Sequence, residues 1–343
     1  MNAASTLEKR RVRRCWLPLC IPGADERPRR GWASDSRLWE EWLCGQGLMA
    51  IAHENLQRLG LLQTLKADVV ERLEHHSIDC RFAFDRGLHT MREVVGVLTR
   101  AGIRNVLLKG PSLSVSCYPE PALRPMHDID ILVPEQDRLG AVRLLLDRFA
   151  YRQEYPEAYY AKGTMTQRLL LPRTKELLPV EVHWDLVNSK ALRRSLGLAP
   201  GLCLDSAIED GRLGGGVRVL ALPLRFAYTC VHAVYQHQLA RLRWLVDGLQ
   251  MIRCRTAVEE WVLEAQASAS PGVRCSVAIC LETMKELWPS QSFPASTALR
   301  RRRAGILSLL GVRPVGWLLA PETAAGRWHR KLFRIALRYP GIA

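Results

Sequence analysis

The residues best suited to chemistry are Asp128 and Asp130, in the run Asp128-Ile129-Asp130-Ile131-Leu132-Val133. On a strand, positions i and i+2 project from one face, so two carboxylates would stand a few ångströms apart. Such a pair repels itself unless a cation neutralises it. Hard carboxylate oxygens suit Mg²⁺, or Mn²⁺ in its place, usually together with substrate phosphates. A strand edge bearing two solvated aspartates is the plainer alternative, and two neighbouring features weigh against it. Upstream, the stretch 103–108, read as a buried strand, leads into Lys109-Gly110-Pro111-Ser112, a turn that should open a helix with backbone N–H groups available to an anion. Pro111 fits the first helical position, where a missing N–H costs nothing. Downstream, residues 179–184 alternate: Val180, Val182 and Trp184 face one way, Glu181 and His183 the other, so Glu181 offers a third carboxylate.

These residues need a scaffold. From Ser36 onward the period is helical, with Trp39, Trp42, Leu43, Leu48, Ile51, Ala52 and Leu56 at three- and four-residue steps. Two further helices are expected over about 63–80 and 81–100, ending at Gly102. Strands follow at 103–108, 129–133 and 179–184. The helix between the last two carries Leu139, Val142, Leu145, Leu146 and Phe149 on one side. Gly214-Gly215-Gly216 marks a hairpin or loop beside the strand-like 217–222, and the pattern is helical again from Pro223. Residues 1–33 are basic and interrupted by Pro18, Pro22 and Pro28, which reads as a disordered tail.

A Gly turn, an Asp-apolar-Asp pair and a distant strand carboxylate, in that order, resemble the nucleotidyltransferase superfamily that includes DNA polymerase β, and more closely its bacterial family of little-characterised members. The matching stretches are Leu107-Leu108-Lys109-Gly110, Tyr118, Arg124 through Val133, Val180-Glu181-Val182-His183-Trp184-Asp185-Leu186, and His232–His237 with Arg241–Asp247. The resemblance implies an α+β fold: a small mixed β-sheet nucleotidyltransferase core at 102–190, flanked by helical regions at 34–101 and 191–343. It implies that Asp128, Asp130 and Glu181 are catalytic and hold metal, and that Lys109, Gly110, Ser112 and Arg124 contact the nucleotide. Pro111 intervenes between glycine and serine, which the superfamily usually has adjoining. His183 could orient Glu181 or simply be a hydrogen-bonded structural histidine. Trp184 is expected in the core. His232 and His237, five apart on a helix, do not share a face, which disfavours a zinc site; Asp247 is expected to pair with a nearby cation or to contact the acceptor.

The implied activity is transfer of an NMP group from an NTP to a hydroxyl, with pyrophosphate leaving. The acceptor is open: a small molecule, a peptide or protein, or an RNA end. The chain has 343 residues, with 49 Lys+Arg against 34 Asp+Glu and a formal net charge of +15. That excess permits a nucleic-acid-directed transferase, but no RNA-binding module is recognisable and aromatic residues make up only 7%, so nucleic acid is not favoured. A non-catalytic nucleotide- or partner-binding protein on the same fold is the other alternative. The 48% hydrophobic content excludes a largely disordered or fibrous chain. Ten cysteines without a CxxC pair read as reduced thiols of a cytoplasmic protein. No transmembrane segment is expected. HExxH, Walker A and GxGxxG motifs are absent from the sequence. The basic stretches Arg300–Arg303 and Arg327–Arg334 are expected as solvated faces of packed helices.

Overall fold

The computed structural model describes residues 3–28, 32–33, 36–160, 165–188, 193, 196, 198–254, 270–293, 314–319, 327–328 and 330–333. The fold is mixed α+β, as expected, with a mixed sheet between helical regions.

The N-terminal segment departs from the expected tail. Residues Ala3–Trp16 form α1, and Val12, Cys15, Trp16 and Leu19 are buried. Their spacing, i, i+3, i+4 and i+7, is an amphipathic stripe that the surrounding arginines obscure. Pro18 follows the helix and opens a short 3₁₀ turn, so the prolines end this element rather than prevent it. Trp16 stacks on Trp39 with ring centroids 3.9 Å apart, which ties α1 to α2 (Ser36–Gln46). Helix α3 (Met49–Arg58) follows.

The helices expected over 63–80 and 81–100 are one helix, α4 (Ala67–Arg100). Proline is absent from that interval, and of its two glycines, Gly96 and Gly87, it is Gly87 that meets another segment. There a Cβ would collide with the Met126 side chain. The glycine thus lets the segment entering the Asp128–Asp130 strand lie directly on α4. Gly102, with φ of 72°, ends the helical region where expected.

Among the described residues seven strands follow: β1 (Val106–Leu107), β2 (Ile129–Leu132), β3 (Tyr151–Gln153), β4 (Gln167–Pro172), β5 (Val180–His183), β6 (Ile208–Glu209) and β7 (Arg218–Val219). Their order is β3-β4-β5-β2-β1-β7-β6. Strand β2 is central, parallel to β5 and antiparallel to β1. Helix α5 (Pro111–Cys117) starts after the β1 turn, and α6 (Arg138–Arg148) follows β2. Strand β1 is shorter than the strand expected over 103–108, starting only after the polar Arg104 and Asn105, and β3, β4 and β6 lack a clear sequence signal. Leu139, expected on the inner side of α6, is exposed.

Register decides where the carboxylates point. Ile129, Ile131, Val180 and Val182 are fully buried with Met91, Val94, Val95, Leu98, Val142 and Leu145, chiefly from α4 and α6. Each such side chain contributes about 1.5–3 kcal/mol by leaving water, so a one-residue slip of β2 or β5 would be very costly. The opposite face therefore carries Asp130, Glu181 and His183. It is covered by the C-terminal helices Leu222–Val231, Arg243–Arg253 and Pro271–Leu287.

At the C-terminus, Trp317, Leu318, Leu319 and Phe333 are buried, whereas Trp328 is exposed with the Lys331 ammonium over its ring. Residues 300–303 and 306–312 lie outside the described residues. Among the described residues, no helix is long and apolar enough to cross a membrane.

Candidate active site

Parallel pairing of β2 and β5 sets Asp130 directly opposite Glu181. His183, two residues further along β5, shares that face. Its Nε2 lies 3.0 Å from Asp130 Oδ1 and 3.2 Å from Glu181 Oε2, so one imidazole bridges both carboxylates. Gln167 of β4 donates to Glu181 Oε2 at 2.8 Å. Lys109, at the end of the β1 turn, places Nζ 3.0 Å from Asp130 Oδ1. Asp130 is almost inaccessible to water, yet Lys109 and His183 hold its carboxyl well below the usual range against the opposing effect of burial. His183 is pushed up to about 9 by its two carboxylate partners, burial opposing. Asp128, one residue before β2, is raised to about 6 by burial and then by the negative charges of Asp130 and Glu181. The repulsion expected of a carboxylate cluster is therefore borne by Asp128.

Gly110 has φ of 62°, a left-handed conformation natural to glycine, and a Cβ there would be in ordinary van der Waals contact with the Asp128 carbonyl. The turn is less open to an anion than its sequence suggests. Pro111 has no N–H, and the Leu113 and Ser114 N–H groups both donate to the Gly110 carbonyl. Ser112 is fully buried and its hydroxyl donates to the Lys109 carbonyl.

Arg124, expected on phosphate, is buried and engaged elsewhere. Its Nε and Nη2 donate to the two carboxylate oxygens of Asp247 at 2.8 and 3.0 Å, and Tyr118 Oη donates to Asp247 Oδ1 at 2.7 Å. Asp247 thus has the cation partner the sequence suggested. Trp184, expected in the core, is only partly buried, with the Arg138 guanidinium over its ring. Its position immediately after the last paired residue of β5 places it beyond the sheet's buried alternation.

His232 and His237 do come together, contrary to the helical-wheel expectation. Residues His232–Gln236 form a π-turn, and the His237 N–H donates to the His232 carbonyl at 3.2 Å. A five-residue turn brings positions five apart onto one side. The two rings lie 4.4 Å apart, and His237 stacks on Trp244 at 4.1 Å. His232 Nε2 sits 3.3 Å from Lys109 Nζ, which carries the π-turn to the edge of the carboxylate cluster.

Among the described residues, ligand atoms of Asp130, Glu181 and His183 lie within 4.8 Å of one another. Two carboxylate oxygens and, once His183 gives up its Nε2 proton, an imidazole nitrogen are a donor set for a divalent ion. Tyr228 Oη is buried without a hydrogen-bond partner, and burial first, then the negative charges of Asp130 and Glu181, push its hydroxyl well above the ordinary tyrosine value. The cluster therefore fits a divalent metal. The sequence model of a family described as uncharacterised nucleotidyltransferase matches residues 39–289.

The chain belongs to this family. The matched region of this nucleotidyltransferase-family protein runs from α2 through the Pro271–Leu287 helix and contains every site residue described above. No curated protein matches the chain. His183, expected either to orient Glu181 or to be a hydrogen-bonded structural histidine, lies near enough to both carboxylates to offer a third donor atom; its i+2 spacing from Glu181 is the sequence signal for that. Tyr228 carried no signal, because a tyrosine in an apolar helix reads as core.

Two expected results arise here. His183→Asn should weaken divalent-cation binding about 10–100-fold, the usual effect of losing a group that holds or orients metal ligands. Calorimetric titration with Mn²⁺ checks this, and unchanged affinity would remove His183 from the cluster. The second concerns His237, which burial and then Lys109 lower to about 4. Above about pH 6.5 the ring is neutral in both folded and unfolded chains and contributes nothing. Between about pH 6.5 and 4 the unfolded chain takes up a proton that the folded one refuses, so folding loses stability as pH falls. His237→Phe keeps the stack on Trp244 and removes the titration. Its stability relative to wild type should rise as pH drops through that window, by at most about 3 kcal/mol, then level off; denaturant melts at several pH values check it.

Proposed function

We propose that this protein transfers an NMP group from an NTP to a hydroxyl of an acceptor, releasing pyrophosphate. The observation that carries the proposal is the convergence of Asp130 and Glu181, from adjacent parallel strands, on one buried point beside Asp128 and Lys109. Family membership supports nucleotidyl transfer in general. Asp130, Glu181 and His183 would hold a divalent ion, Mg²⁺ or Mn²⁺, which supplies charge neutralisation and orientation for an in-line displacement. Asp128 adds a further carboxylate at the mouth of the cluster. With its pKa raised to about 6, Asp128 is a carboxyl able to accept a proton near neutral pH. Lys109 is placed to exchange Asp130 for a phosphate oxygen when the carboxylate is otherwise neutralised. Gly110 and Ser112 remain candidates for nucleotide contact through the backbone of their turn. The Arg124 guanidinium, bound to Asp247, contributes by fixing the segment that leads into Asp128.

Labelled NTPs screened against small-molecule, peptide, protein and RNA acceptors, with Mg²⁺ and with Mn²⁺, test the reading. Label on an acceptor with stoichiometric pyrophosphate is the expected result. One observation favours a non-catalytic nucleotide-binding protein: Asp130 is already neutralised by Lys109 and His183. Tight NTP binding with no pyrophosphate release across all acceptors would support that alternative. Binding to RNA that falls steeply with salt would instead favour a nucleic-acid acceptor.

A further inference from the structure

Arg243 is the cation that the site chemistry above does not use. It opens the Arg243–Arg253 helix, one turn before Asp247 and on the same face. Asp247 is the natural partner, but both its oxygens are taken by Arg124 and one also by Tyr118. The Nε and Nη1 atoms of Arg243 are buried with no hydrogen-bond partner. A second carboxylate, Asp128, faces Arg243 electrostatically without bonding it. The stem of Arg243 lies over Gly47, where a Cβ would come within 3.2 Å of its Cδ, so a bare backbone shapes the space around this side chain.

The charges do not balance. Arg124 and Arg243 place two guanidinium groups against one carboxylate already saturated with donors, in a region largely removed from water. Leaving a buried charge unpaired is strongly unfavourable, and a guanidinium fork is the side chain best shaped to hold a tetrahedral oxyanion. The residue keeps partial exposure, and exposed Arg241 and His127 stand near it. Burial and then the positive charges of Arg243, Arg241 and Arg124 lower the His127 ring to about 4, so His127, the residue before Asp128, offers a neutral N–H donor where these arginines adjoin the carboxylate cluster.

We propose that Arg243, with Arg241 and His127 at the opening, is an oxyanion subsite that takes the non-reacting phosphates of the nucleotide. The identity of the ligand rests on the nucleotidyl-transfer reading; the subsite itself does not. Phosphoryl chemistry needs cations around the phosphate chain, and the metal cluster together with Lys109 accounts only for the reacting end. Arg243 then gains the hydrogen bonds that Asp247 denies it.

The probe is inorganic tripolyphosphate in EDTA, titrated calorimetrically into the full-length protein and into its Asp130→Asn variant. In both backgrounds Arg243→Gln should weaken binding at least tenfold, Arg243→Lys should weaken it less, and Arg152→Gln, distant on β3, should leave it unchanged. ATP should compete with tripolyphosphate for this subsite. Equal affinity in Arg243→Gln and wild type, or no tripolyphosphate binding by either background, overturns the subsite. Inorganic phosphate bound together with ATP, without competition, overturns its assignment to the nucleotide. If Arg243→Gln does not fold, Arg243→Lys decides: its affinity must fall, because an ammonium keeps the charge but loses the fork. Loss of transfer in Asp130→Asn with tripolyphosphate binding intact separates failure of one reading from failure of the other.

Discussion

Asp130→Asn should abolish nucleotidyl transfer, by at least about 10³-fold, while leaving the chain folded. The expectation follows from where Asp130 sits. It is the most buried carboxylate of the cluster and the only one bonded to both Lys109 and His183. Removing a preorganised electrostatic contact to the reacting centre typically costs about 10²–10³-fold in rate, and here the same change removes a metal donor. An asparagine is close in shape, so the packing of β2 against β5 persists. The two cations it would strand keep other partners: Lys109 faces His232 Nε2 at 3.3 Å, and His183 retains Glu181 at 3.2 Å. The checks are pyrophosphate release under saturating NTP and Mn²⁺, a calorimetric Mn²⁺ titration, and circular dichroism. Turnover equal to wild type would refute the assignment of this cluster as the catalytic centre. Loss of turnover with unchanged Mn²⁺ affinity would place the metal elsewhere and leave Asp130 only an electrostatic role.

The site was legible in the sequence where backbone periodicity alone fixes side-chain direction. Asp130, Glu181 and His183 sit on strands with clean alternation, and the register Asp130↔Glu181 follows once Ile129, Ile131, Val180 and Val182 are buried together. What was not legible depends on contacts between distant segments. Arg124 looked like a phosphate ligand because it lies just before the Asp128–Asp130 pair in sequence; its actual partner, Asp247, is 123 residues away. The π-turn at His232–Gln236 has no simple residue signature, so two histidines five apart were judged by the period of an α-helix. The N-terminal helix was missed for a different reason: arginines flanking Val12, Cys15, Trp16 and Leu19 swamped a regular apolar stripe. Short strands such as β3 and β6 owe their existence to neighbours rather than to their own composition.

The largest structural effect is expected at Asp247. Its replacement by alanine should destabilise the protein by about 3–5 kcal/mol, the usual cost of breaking a buried ion pair by removing one partner. Three donors converge on this carboxylate: Nε and Nη2 of Arg124, and the Tyr118 hydroxyl. Without it Arg124 is a buried, unpaired guanidinium next to a second one, Arg243, whose Nε and Nη1 already lack partners. Arg124 cannot shed its proton to relieve the cost. The loss therefore goes beyond missing hydrogen bonds. A double-mutant cycle makes the argument quantitative. Arg124→Met should also destabilise, by leaving Asp247 unpaired, but Arg124→Met with Asp247→Leu should recover much of the loss, because replacing both members of a buried pair by apolar groups can be nearly neutral. Denaturant melts of wild type, Arg124→Met, Asp247→Leu and the double variant give the coupling energy. If Asp247→Ala unfolds at the wild-type midpoint, the pair is not structural, and Asp247 becomes a candidate for contact with the acceptor. If the double variant is as unstable as the single ones, the segment Arg124–His127 depends on the ion pair for its shape, and Asp128 should then lose its place beside Asp130 along with the transfer activity.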